Sequence, residues 1–129
     1  MLRGITVCPA RLYIIDENNT VRSALVDRLD RAANLTVVGH AGDAELVLRD
    51  IRSDKPDVVL VEVKRSDGMG LELVRQIASL PKSPQLVVLT SYSTEWEEAA
   101  AHRAGATSYL LKDIDSEDLI RRISELAEL

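Results

Sequence analysis

Phenylalanine is absent from the 129-residue chain, tryptophan occurs once and tyrosine three times. A core made without large aromatics must come from Val, Ile, Leu and Ala, which suits a sheet buried between layers of helix. Cysteine is as scarce: Cys8 alone excludes an intramolecular disulfide and points to a cytoplasmic setting. Cys8 itself reads as an inert residue of a short leader. No apolar run reaches membrane-spanning length, and residues 1–10 hold too short an apolar stretch for a signal peptide. Positive charge is not in excess either. A formal net charge of −5 argues against this chain gripping nucleic acid by itself. Missing too are a Gly-rich phosphate loop after the first apolar run and any visible Ser/His/Asp or Cys/His catalytic arrangement, which disfavours an enzyme or nucleotide binder.

What is present is regular alternation. The apolar, β-branched run Pro56-Asp57-Val58-Val59-Leu60-Val61-Glu62 ends on a carboxylate and breaks into Arg65-Ser66-Asp67-Gly68-Met69-Gly70. It reads as a buried parallel strand followed by a loop. Further strands are expected at 11–15, 35–41, 85–90 and 107–111. Between them lie helical patterns: Val21, Ala24, Leu25, Leu29 and Ala32; Ala44, Val47, Leu48 and Ile51 behind an Asp43 cap; and Leu71, Val74, Ile77 and Ala78. Thr94 with Glu97 fits a capping box that opens a fourth helix running to about His102, and Gly105 would close it. Asp115 or Ser116 caps the last, with Leu119, Ile120, Ile123, Leu126 and Ala127 inward. The fold class expected is α/β: a doubly wound (βα)5, flavodoxin-like three-layer sandwich with a parallel sheet in the order 2-1-3-4-5. Residues 1–10 form the leader and 11–129 the single domain.

In such a sheet the strand ends meet at one edge, where the crevice lies. Asp16 and Glu17 end the first strand, Glu62 the third and Thr90 the fourth, and Lys112 follows the fifth. Clustered carboxylates suit a hard divalent cation such as Mg²⁺. An ammonium and a hydroxyl beside it suit phosphoryl oxygens.

Over residues 10–128 the chain resembles the receiver domain of bacterial two-component response regulators. Leu12-Tyr13-Ile14-Ile15-Asp16-Glu17 matches the first strand with its acidic pair, and the run to Glu62 matches the strand that normally ends in the phospho-acceptor. Gly70-Leu71-Glu72-Leu73, Leu89-Thr90-Ser91-Tyr92 and the run from Ala104 to Asp113 match the next helix start, the switch hydroxyl, and the switch aromatic with its lysine. The resemblance implies that Asp16, Glu17 and Glu62 hold Mg²⁺ together with the backbone carbonyl of Lys64. It implies that Thr90 and Tyr109 form the switch pair and that Lys112 contacts the acceptor or its phosphoryl group. It is greatest to receivers that precede a LuxR-type helix-turn-helix DNA-binding domain. The partners implied are a second copy, docked through the last helix with the first or fourth, and a sensor histidine kinase. DNA would be reached only through an output domain outside this chain, and no membrane is involved.

Two departures stand out. Glu62 replaces the family's acceptor Asp, and its extra methylene moves the carboxylate about 1.5 Å further into the site. In-line phosphoryl transfer loses on the order of 100-fold in rate for about 1 Å of misplacement. The expectation is an atypical receiver that is not phosphorylated, acts by protein contacts and regulates transcription; the exchange need not abolish Mg²⁺ binding, though Mg²⁺ is strict about octahedral geometry. Glu62, reaching Lys112, could imitate the active state or simply disable the switch. The alternative is a working phospho-receiver that uses Glu62 or Asp67. The loop also lacks the family's proline, which predicts greater mobility, and Arg65 is expected to bring a cation to the site in partial place of the metal. Elsewhere, His40 and His102 read as structural or surface residues, Trp96 as partly buried packing, and Arg121-Arg122 as a solvated face.

Overall fold

The computed structural model describes residues 8–129. Most of the expected leader, residues 1–7, lies outside the described residues. Within it Cys8 is exposed and unpaired. Ala10 belongs to the domain rather than to the leader: it is the first residue of β1, buried, with its N–H donating to Asn34 O at 2.9 Å.

Strands and helices alternate: β1 (Ala10–Ile15), α1 (Asn19–Asp30), β2 (Leu35–Ala41), α2 (Ala44–Asp54), β3 (Val58–Val61), α3 (Gly70–Ala78), β4 (Gln85–Thr90), α4 (Glu95–Ala104), β5 (Ser108–Leu111) and α5 (Ser116–Ala127). All pairings are parallel and the order is β2-β1-β3-β4-β5. The strand period of two divides the aliphatic runs between two cores. Tyr13, Ile15, Val59, Val61, Leu86 and Val88 face α2, α3 and α4. Leu12, Ile14, Leu60, Val87 and Leu89 face α1 and α5. Tyr13 is the only aromatic in the buried core among the described residues. It is fully buried, and its hydroxyl donates to Asp50 Oδ2 at 2.8 Å.

Helix starts follow local chemistry. Asn18, Asp43, Thr94 and Asp115 each accept a first-turn N–H through the side chain. α2 stops at Lys55, which takes the left-handed conformation (φ 48°) immediately before Pro56. Three packing expectations need correction. Ala24 faces outward, with Val26 taking the inner side of α1. Leu73, absent from the predicted stripe of α3, is among its buried residues. Trp96, in the first turn of α4, is 69% exposed rather than packed.

Candidate functional site

The backbone ladder runs one step past several strands and so fixes the residues at the edge. Asp16 N–H donates to Ala41 O (3.2 Å), Glu62 N–H to Ile15 O (3.0 Å) and Lys112 N–H to Thr90 O (2.7 Å). Asp16, Glu62 and Thr90 are thereby buried, at 2%, 6% and 0% exposure. Two carboxylates in such a place require hydrogen-bonded or charged partners.

Lys112 supplies the charge. Its Nζ lies 2.8 Å from Asp16 Oδ2 and 3.0 Å from Glu62 Oε1. Backbone amides take the remaining oxygens: Asn18 N–H donates to Asp16 Oδ1 (2.9 Å) and Lys64 N–H to Glu62 Oε2 (3.0 Å). Burial alone would lower the pKa of Lys112, but its bonds to Asp16 and Glu62, with their charges, outweigh that and hold the ammonium above its ordinary value.

Glu17 turns away from this pair. Its Oε1 accepts from Ser66 N–H (2.7 Å) and its Oε2 from Ser66 Oγ (2.9 Å), which ties the loop after β3 to the end of β1. The oxygens named for a metal are hard donors of the right type, yet every carboxylate oxygen among them is committed. Among the described residues no three Asp, Glu, His or Cys side chains gather so as to hold a metal ion. Mg²⁺ demands near-octahedral oxygen coordination, so an ion held here would have to share or displace these bonds.

Lys64, expected at the site for its carbonyl, also contributes its side chain. Nζ donates to Thr90 Oγ1 (2.8 Å), Tyr92 O (2.8 Å) and Glu97 Oε1 (2.7 Å), and stands 4.5 Å from the centroid of the Tyr92 ring. Thr90 Oγ1 in turn donates to Tyr92 O at 3.3 Å. The Tyr109 hydroxyl donates to the same Glu97 Oε1. Burial, then Glu97, raises the Tyr109 pKa well above its ordinary value. Thr94 Oγ1 accepts from Glu97 N–H at 3.1 Å, so half of the expected capping box is present. The Glu97 carboxylate goes to Lys64 and Tyr109. Sequence reasoning missed Glu97 and the Lys64 ammonium for this reason: each already had a local explanation.

Arg65 does not bring its cation to the carboxylates. Its guanidinium pairs with Asp67 at 3.0 Å and holds the Asp67 carboxyl below its usual pKa. Asp67 also accepts from Met69 N–H at 2.9 Å. Together with the Glu17–Ser66 bonds, these contacts give the loop its own fixed set of partners in place of the absent proline. At its far end a Cβ on Gly70 would lie 1.9 Å from Val63 O, a closeness only glycine permits. The histidines are structural: His40 Nδ1 accepts from Arg22 Nε (3.1 Å), and His102 Nδ1 lies 2.9 Å from Ala106 O.

The comparisons agree with the geometry. Residues 12–124 match the response regulator receiver domain. The chain belongs to that family. As a receiver domain it is 33% identical over 116 residues to the DNA-binding transcriptional activator DevR/DosR of Mycobacterium tuberculosis, covering 90% of this chain and 54% of that protein. It is 29% identical over 119 residues to the nitrate/nitrite response regulator protein NarL of Escherichia coli, covering 92% and 55%. The receiver domain thus spans about half the length of these curated relatives. Among solved structures it superposes on a LuxR-family two-component response regulator from Aurantimonas sp. SI85-9A1 with a TM-score of 0.84 at 25% identity, covering 93% of this chain and 86% of that one. The response regulator domain of Thermotoga maritima CheB, at TM-score 0.82 and 21% identity over 94% and 98%, shows the same fold. An unrelated flavodoxin-like enzyme or nucleotide binder is thereby set aside. No helix among the described residues is long and apolar enough to cross a membrane.

Proposed function

We propose that this receiver domain signals without phosphorylation at Glu62, and that it does so through protein contacts which regulate an attached or partner output. The observation that carries the reading is the state of Glu62. Both its oxygens are occupied, one by Lys112 Nζ and one by Lys64 N–H, and neither is bonded to Thr90. A nucleophile held this way, and displaced by one methylene, is poorly placed for in-line attack on phosphorus. The pairing that neutralises Glu62 also takes up Asp16, so the same contacts disfavour Mg²⁺. Of the two roles open to Glu62, disabling the phosphoryl input is favoured over imitating it, because a mimic must contact the switch pair differently in its two states.

The DNA-binding and response-regulator names of its relatives support transcription as the output and the cytoplasm as the setting. A second copy, meeting it through α5 with α1 or α4, and a sensor histidine kinase are the partners to test. DNA is reached through an output domain outside this chain.

The test is intact mass after incubation with Mg²⁺ and a small-molecule phosphodonor, beside the variant Glu62→Asp. Wild type is expected to stay unmodified while the variant gains one phosphoryl group. A phosphorylated wild type would make this a working phospho-receiver, and peptide mapping would then choose between Glu62 and Asp67.

A further inference from the structure

The Lys64 ammonium has three protons and gives each to a different group: the last residue of β4, the loop after it, and the first turn of α4. Glu97 passes the connection on, since one oxygen accepts from both Lys64 and Tyr109 of β5. The Lys64 and Glu97 side chains are only 25% and 15% exposed, so solvent screens their attraction little. Thr90 is meanwhile satisfied in both directions, accepting from Lys64 and donating to Tyr92 O.

We propose that Lys64 is the positioning residue of the switch, holding Thr90 and Tyr109 as one unit through Glu97 independently of the carboxylate at Glu62. Lys64 stands two residues past the acceptor position, and its cation sits on the hydroxyl that a phosphoryl group would otherwise engage. A partner that draws the Glu97 end of α4 outward would free Thr90 and Tyr109 together. Glu62 bonds directly only to Lys112 and the Lys64 amide, and its charge is the smallest of the influences on Tyr109. The inference uses the receiver reading only to name the switch pair, and its failure would leave the mass experiment on Glu62 untouched.

The experiment compares Lys64→Met, Lys64→Arg, Glu97→Gln, the Lys64→Met/Glu97→Gln double variant and Glu62→Gln in the full chain. Amide and side-chain NMR signals of Thr90, Tyr92 and Tyr109 are followed, with far-UV circular dichroism as the folding control. Lys64→Met and Glu97→Gln are each expected to shift all three sets and to lose the Tyr109 hydroxyl proton into exchange with water. The double variant should go no further than either single change, and Lys64→Arg should restore part of the signal. Glu62→Gln should leave Thr90 and Tyr109 where they are. The proposal is overturned if Glu62→Gln moves Tyr109 as far as Lys64→Met does, or if Lys64→Met leaves Tyr109 unmoved. Should Lys64→Met not fold, Glu97→Gln, nearly equal in volume, decides the same question alone.

Discussion

Lys64 and Tyr109 meet on a single oxygen, Oε1 of Glu97. Two donors on one acceptor are coupled, because removing either changes the charge the other meets. A double-mutant cycle on Lys64→Met and Tyr109→Phe, read by urea unfolding, should give an interaction energy of about 1 kcal/mol. Simple additivity would mean the two residues are independent.

Lys112 stands between two buried carboxylates, and taking it away strands both. Lys112→Met should cost about 3–5 kcal/mol in urea unfolding, the penalty of leaving buried charge without its partner. Adding Glu62→Gln should recover part of that loss by removing one orphaned charge. A Lys112→Met variant as stable as wild type would show that the carboxylates do not depend on the ammonium.

Strand ends of this kind were largely legible in the sequence. The alternation of β-branched runs with three- and four-residue apolar steps is set by backbone geometry, and it gave the element order and the sheet. Asp16, Glu62, Thr90 and Lys112 follow, because a parallel sheet must bring their strand ends to one edge. What the sequence did not carry is direction. Glu97 fits a capping box by spacing, and Arg65 lies near the acceptor by number, yet tertiary partners decide that the first points inward and the second toward Asp67. Glu17 likewise leaves its acidic neighbour for Ser66, a residue 49 positions away.

Alkaline pH should expose these pairings. The Lys112 pKa is raised by Asp16 and Glu62 against the opposing effect of burial, and the Tyr13 and Tyr109 pKa values are raised by burial first and then by Asp50 and Glu97. A raised folded-state pKa gives stability that is complete below the unfolded value and is lost as pH climbs through the folded one. Unfolding free energy is therefore expected to hold up to about pH 10, the ordinary tyrosine and lysine range, and to fall above it. Absorbance at 295 nm should show Tyr13 and Tyr109 ionising late. Stability that rises above pH 10 would contradict the pairings.

Magnesium should distinguish wild type from Glu62→Asp. Shortening residue 62 withdraws its carboxylate from Lys112 and leaves oxygen free for an ion. Titration with MgCl₂, followed by calorimetry and by the emission of Trp96, is expected to give binding in the variant and none in wild type at millimolar concentrations, the weak end of the range for oxygen-ligand sites. Equal binding by both would return Mg²⁺ to the native site.

Gly70 sets a limit of another kind. Because α3 begins in contact with the Val63 carbonyl, the stretch from Glu62 to Gly70 is pinned at both ends and its span is fixed. The side chains along it can vary, but an inserted or deleted residue would have to open that contact or shift the start of α3. Any conversion of residue 62 into a phospho-acceptor aspartate with the family's loop must therefore pass through substitutions at constant loop length.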